Sequence, residues 1–457
     1  MGVAEAYSRT SPGSRVRRWR LLYVSAIMAV AVWMIGRDMT FMRTAFVYDV
    51  FIYQCYARAF WQGPQRAVVL APETRSCRSF WGPAPQRFRA FPQEYPVLSL
   101  GVFSLPLLTP WLPYNAAFLW WMALCLLLAT LILAWRGPPG HALALLLYTL
   151  LAGWQFVLAR YDLVPGLGVL LALVLAQRGR MRAATVALAA GTLLKGFPVL
   201  LLPLLLINAR RKEGRWRLDC LILFVGLLLV VLLPALVLNP HGILSPIRYA
   251  LHRPLHIESL SGMLLWVTSG AGKEARVIFS FGSYNVVGAY QGLFATAFSV
   301  LFVAGLAGAY WRQGRGRDSL ARSFMLVLIV TLVTNKVFSP QYILWLLPTA
   351  AFVEGICPRW LIVATLIFFV SGDGALPFSV AHLSSSTSSH PFPSPLFVLK
   401  ILASDLYLCG LAIFYMVHRG DEQDTEIGLD AHRGPYVTAY AHARAATRVI
   451  TARWTTR

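Results

Sequence analysis

The sequence predicts an all-α polytopic membrane protein of about 12 transmembrane segments, with a long extracytoplasmic first loop. Three observations predict it. Hydrophobic residues fill 57% of the 457 positions and charged residues only 13%, about half the charged share of an ordinary soluble domain. Apolar runs of about 20 residues, long enough to cross a bilayer as helices, recur from residue 21 to residue 417. A helix satisfies its own backbone groups in lipid, so such spans are helical.

The first apolar run, LLYVSAIMAVAVWMIG, follows the basic stretch RVRRWR. This resembles the charged and apolar regions of a signal peptide, but no small-residue cleavage site follows, so 21–37 reads as an uncleaved span. Further spans are expected at 96–112, 114–135, 141–159, 162–177, 183–207, 218–238, 286–311, 320–335, 340–356, 358–376 and 396–417. Arg15, Arg17, Arg18 and Arg20 precede the first span, and Arg419, Arg433, Arg444, Arg448, Arg453 and Arg457 follow the last. The positive-inside rule therefore places 1–20 and 418–457 in the cytoplasm, with an even number of crossings through the domain 21–417. RRKEGRWR (210–217) and WRQGRGRDSLAR (311–322) read as cytoplasmic on the same ground. The loops 38–95, 239–285 and 372–395, and the turn NKVFSP (335–340), then lie outside.

One segment is read as broken. Gly-Phe-Pro follows Lys195, so LLKGFP divides 183–207 into two short helices. The break brings QRGRMR (177–182) to the cytoplasmic side and Lys195 toward the outer surface. One segment between 96 and 177 must then fall short of a full crossing.

The formal net charge of +22 does not indicate a nucleic-acid binder, because the arginines are scattered among spans rather than gathered in one domain. It fits the positive-inside bias, attraction to anionic lipid heads, and in part an anionic substrate. Cys55 and Cys77 share the first loop and can pair if that loop is outside the cytosol. Cys125, Cys220, Cys357 and Cys409 lie in or beside apolar runs and read as packing residues. No cofactor is expected. His252 and His256 have no third ligand at usable spacing, so no metal site is assigned.

The polar residues that could carry chemistry collect on the outer side. YDVFIYQCYARAFWQG (48–63) holds one carboxylate, Asp49, either a loop acid or helix cap, or a general base at the membrane surface. FPQEYP (91–96) contributes Tyr95. RYDLVPGLGV (160–169) sets Arg160 and Asp162 between two spans, where they either pair with each other or face a substrate. Lys195 sits in an apolar context and must face a cavity, find an anionic partner or snorkel. YALHRPLHIESLSGML (249–264) supplies Arg253, His256 and Glu258. TNKVFSPQYILWLLP (334–348) supplies Lys336, Gln341 and Tyr342, with Trp345 beyond. Cations, one strong base candidate and aromatics on one side suit a lipid-linked phosphate and a sugar.

This order of segments resembles the GT-C superfamily of membrane glycosyltransferases. Within it, the chain looks most like the bacterial polyprenyl-phosphomannose-dependent alpha-mannosyltransferases. The resemblance rests on the Asp in YDVFIYQCYARAFWQG, on EYP, on AAGTLLKGFPVLLLP, on HRPLHIESL and on KVFSPQYILWLLP. Two departures stand out: Arg253-Pro254-Leu255 replaces the more usual Arg-Gly-Leu, and Tyr95 is followed by Pro96 and Val97 rather than two prolines. The resemblance implies a hexosyltransferase of the cell membrane, moving a hexose, mannose first, from a polyprenyl phosphate to an extracytoplasmic glycolipid or polysaccharide by one inverting displacement. Asp49 would be its base. Lys195, Arg253, Lys336 and Arg160 would hold the donor phosphate. Tyr95, Asp162, His256, Glu258, Gln341 and Tyr342 would contact the substrates. A flippase for lipid-linked sugars, and a ligase using a polyprenyl-pyrophosphate glycan, are the alternative readings. The first loop is also expected to carry one or two membrane-surface helices anchored by Phe51, Trp61, Phe80, Trp81 and Phe88.

Overall fold

The computed structural model describes residues 12–42, 48–70, 77, 86–270, 273–371, 383–384 and 392–419. Helix α1 (Pro12–Met42) leads to α2 (Tyr48–Gln62) and α3 (Pro64–Leu70). Next come α4 (Ser99–Ser104), α5 (Tyr114–Arg136), α6 (His141–Ala159), α7 (Leu163–Gln177), α8 (Met181–Lys195) and α9 (Leu202–Glu213). They are followed by α10 (Leu218–Leu238), α11 (Pro240–His252) and α12 (Leu260–Thr268). The last are α13 (Gln291–Gly314), α14 (Leu320–Thr334), α15 (Leu347–Glu354), α16 (Pro358–Ser371) and α17 (Pro395–Val417). Among the described residues, five helices are long and apolar enough to cross a membrane: α1 over Arg20–Arg37, α5, α10, α13 and α17. The chain is thus a largely helical polytopic membrane protein.

The other apolar segments are shorter, and one sequence expectation changes with them. The stretch expected as a span at 96–112 forms only α4 and a 3-10 turn over Leu105–Leu108. Together they rise roughly 17 Å, about half the hydrocarbon thickness. The region 183–207 divides where Gly196 adopts φ +70° and Pro198 opens a 3-10 turn, Phe197–Leu201, between α8 and α9.

Contacts order the two ends of the bundle. Arg20 at the start of α1 donates to the Trp135 carbonyl near the end of α5. Arg178, just past α7, lies within electrostatic reach of Arg20 and Arg136. These elements therefore meet at one end, rich in arginine. There Arg312 and Arg322 clamp the buried Asp318 and donate to the His418 carbonyl after α17. The turns after α6 and α8 lie at the opposite end.

Between α11 and α13 the fold is not all helical. Strands β1 (Leu255–His256), β2 (Ala275–Ser280) and β3 (Ser283–Gly288) form an antiparallel sheet in the order β1-β3-β2. Val277 and Val286 are buried against Met263 and Trp266 of α12 and Phe397 and Ile401 of α17. Phe281 and Gly282, both at positive φ, close the β2–β3 hairpin, the backbone a two-residue turn needs. The span expected from residue 286 therefore starts only at Gln291, because Val286 and Val287 belong to the hairpin. A further strand pair, β4 (Leu383–Ser384) and β5 (Phe392–Pro393), precedes α17.

The first loop does carry helices. Val50, Ile52, Tyr53, Tyr56 and Ala57 of α2 are buried in the main core. Trp61 and Phe88 remain exposed, Phe51 packs beside Cys55 and Cys77, and Phe80 and Trp81 lie outside the described residues. Cys55 is disulfide-bonded to Cys77. The bond closes a 22-residue separation and ties α2 to the loop. Cys55→Ser is expected to cost about 2–4 kcal/mol of stability, read as a lowered thermal midpoint of the protein in lipid.

Candidate active site

Two ion pairs flank the turn Arg160-Tyr161-Asp162 between α6 and α7. On one side, the Arg160 guanidinium pairs with Asp49 in the first turn of α2, each side chain 20% exposed. A carboxylate at a helix N-terminus is stabilised by the backbone dipole as well as by its partner. On the other side, Asp162 is fully buried and accepts from Lys195 Nζ at 2.6 Å. Arg160 and Asp162 do not pair with each other: two residues apart on a turn, each is claimed by a different element.

Asp162 immediately precedes α7, where a carboxylate ordinarily caps the helix, yet its side chain makes no cap bond. Its Oδ1 instead accepts from Lys195 and, at 2.7 Å, from Trp345 Nε1. Lys195 is the last residue of α8, held there by the break at Gly196. Four rings surround its ammonium. Tyr161 lies 4.8 Å away, Tyr342 5.0 Å, Trp345 5.5 Å and Tyr95 5.6 Å. Ring faces attract a cation while excluding water. Trp345 is itself stacked between Phe197 at 4.1 Å and Tyr342 at 4.3 Å. Lys195 therefore does not snorkel; it sits in an aromatic box with a carboxylate at its base. Gln341 is buried one residue before Tyr342, in the 3-10 turn Pro340–Trp345.

That turn approaches α7 closely because Gly166 has no side chain. A Cβ there would lie 2.4 Å from the Leu344 carbonyl oxygen and 3.4 Å from Trp345 Cα. Gly166→Ala is expected to push Trp345 off Asp162 and cost about 1–3 kcal/mol, measured as a lower thermal midpoint together with reduced transferase activity.

The third part comes from the segment after α11. Arg253 donates to Ser283 Oγ at 2.6 Å, while its buried Nε has no hydrogen-bond partner. Lys336 Nζ donates to the Leu251 carbonyl at 3.0 Å, and its own carbonyl accepts from the His256 backbone at 2.9 Å. Burial, then the nearby Arg253, lower the proton affinity of Lys336. His256 and Glu258 are both buried, with Nδ1 and Oε2 4.0 Å apart. Burial pushes the Glu258 carboxyl up to about 8, against the pull of Arg160 and Arg253.

The clusters communicate. Arg160 lies within electrostatic reach of Asp162, Glu258 and Tyr342. Half-buried Glu94 lies against the hydroxyls of Tyr249 and Tyr56 and within reach of Arg253 and Lys195. Burial pushes the Glu94 carboxyl up, more strongly than Arg253 draws it down. Sequence reasoning quoted Glu94 inside FPQEYP without giving it a role. It also missed the part played by Trp345, and it missed Asp405, buried on α17 within reach of Glu258. An acid inside an apolar run was the available signal for Asp405. Among the described residues, no three His, Cys, Asp or Glu side chains group so as to hold a metal ion.

Residues 94–340 match the sequence model of glycosyltransferase family 87, rather more than half of the chain. The chain belongs to glycosyltransferase family 87. It is a membrane glycosyltransferase, acting on donor and acceptor substrates. No curated protein and no solved structure gives a significant match. The family 87 match spans Glu94, Tyr95, Arg160, Asp162, Lys195, Arg253, His256, Glu258 and Lys336. Asp49, Gln341, Tyr342, Trp345 and Asp405 lie beyond its limits. The structure brings residues from inside and outside the matched segment to the same end of the bundle.

Proposed function

We propose that this family 87 enzyme transfers a hexose, mannose first, from a polyprenyl phosphate to an extracytoplasmic glycolipid or polysaccharide. The observation that carries this reading is the pair of ion pairs on the Arg160–Asp162 turn. One offers a carboxylate suited to accept a proton, and the other a boxed cation suited to face an anion. Asp49, paired with Arg160 at the start of α2, takes the proton of the acceptor hydroxyl. The freed oxygen attacks the anomeric carbon, and the bond to the phosphate oxygen breaks on the opposite face, so the configuration inverts. Lys195, Arg253 and Lys336 meet the charge gathering on the departing phosphate. Tyr95, Tyr342 and Gln341 line the approach for sugar, and the spans accept the lipid tail.

Twelve crossings fit the alternation of ends, with α8 and α9 counted separately and the short 99–108 segment turning back. The arginine-rich end is then cytoplasmic and the site lies outside the cell membrane. The Cys55–Cys77 disulfide on α2 supports that side, since such bonds persist in oxidising compartments. Purified protein in lipid, given labelled polyprenyl-phosphate-mannose or nucleotide-linked mannose with a crude glycolipid acceptor, tests the donor. Transfer is expected from the lipid-linked sugar alone. Turnover of the nucleotide sugar would overturn the reading.

A further inference from the structure

Behind Arg160 lies a buried polar cluster that the transfer step does not use. Glu258 is 7% exposed, His256 5% and Asp405 3%. His256 gives its one bonded ring N–H to the Phe338 carbonyl, and Nδ1 has no partner. Nδ1 is therefore a bare lone pair, the tautomer being fixed by that backbone bond. It faces Glu258 Oε2 at 4.0 Å. Asp405 Oδ2, reaching in from α17, is buried and also without a partner. A buried carboxylate set against a buried lone pair is costly unless it holds a proton. The charged groups facing Glu258 are Arg160 from the α6–α7 turn and Arg253 from its own segment, with His256 and Asp405 as the other titratable neighbours.

We propose that Glu258 is a positioning residue that works in its protonated form: while it holds a proton, Arg160 is left to Asp49. An ionised Glu258 would compete for the same guanidinium and draw it off the base. The upward shift of Glu258 to about 8 agrees with this arrangement. Asp49 as the base rests on the function proposed above. The coupling between the two carboxylates through Arg160 does not, and it can be measured without any sugar donor.

The full-length protein in lipid nanodiscs would be titrated by infrared difference spectroscopy in the protonated-carboxyl region. The wild type is expected to show a buried carboxyl band that disappears on titration through about pH 8, absent from Glu258→Gln. If the amide variant does not fold, Glu258→Asp should move the band rather than remove it. In Asp49→Asn, Arg160 keeps only a neutral acceptor on α2 and can stabilise ionised Glu258, so the midpoint should fall by about one pH unit, a tenfold change in proton affinity. A band untouched by both Glu258 variants, or an unchanged midpoint in Asp49→Asn, overturns the proposal. Failure of sugar transfer with an intact infrared coupling would instead sink the donor reading and leave this inference standing.

Discussion

Asp49→Asn is expected to lose about 100- to 10,000-fold in kcat, the usual contribution of a positioned general base. The change is isosteric and leaves the first turn of α2 without its acid, so Arg160 keeps a neutral hydrogen-bond acceptor. Binding of the lipid-linked donor should change little, because the base acts on the acceptor. Steady-state kinetics in proteoliposomes, with KM for donor and acceptor separated from kcat, would check this. Near-normal turnover by the variant would move the base elsewhere, with Glu94, an unassigned carboxylate within reach of Arg253 and Lys195, tested next.

Removal of Lys195 should have the second large effect, in two separable parts. Lys195→Met leaves Asp162, which is fully buried, with Trp345 Nε1 as its remaining side-chain donor. Breaking a buried pair in this way costs about 3–5 kcal/mol, so the thermal midpoint should drop clearly. Transfer should fall by about 100-fold or more through loss of a preorganised cation at the leaving group. Adding Asp162→Asn removes the orphaned charge. The double variant should regain most of the stability and none of the rate. Recovery of both would mean that the pair only holds α7 against α8.

Much of this arrangement could be read from the sequence because membranes impose simple rules. The paucity of charge and the length of the apolar runs give a polytopic helical chain, and Gly196 with Pro198 marks the break that ends α8 at Lys195. The motifs of the site were legible as candidates for the same reason: an Asp, an Arg or a Lys beside a span is costly and needs a partner. Which partner it finds was not legible. Arg160 and Asp162 are two positions apart, and only the packing of α2 and α8 around their turn assigns one to Asp49 and the other to Lys195. Helices of fewer than 18 residues escape a length rule, and the spans expected at 162–177 and 320–335 form the shorter apolar helices α7 and α14. The hairpin of β2 and β3 was hidden because Val286 and Val287 read as readily as the start of a helix. Asp405 was hidden by its surroundings: its relation to Glu258 joins residues far apart in the chain.

The measurement that tests the central claim most directly is the configuration at the transferred sugar's anomeric carbon. Product made by the purified enzyme from a lipid-linked donor of known configuration would be read by NMR. A single displacement with Asp49 as base predicts a product inverted relative to the donor. A retained configuration would require a second displacement through a covalent glycosyl-enzyme or an equivalent intermediate, and would contradict the account.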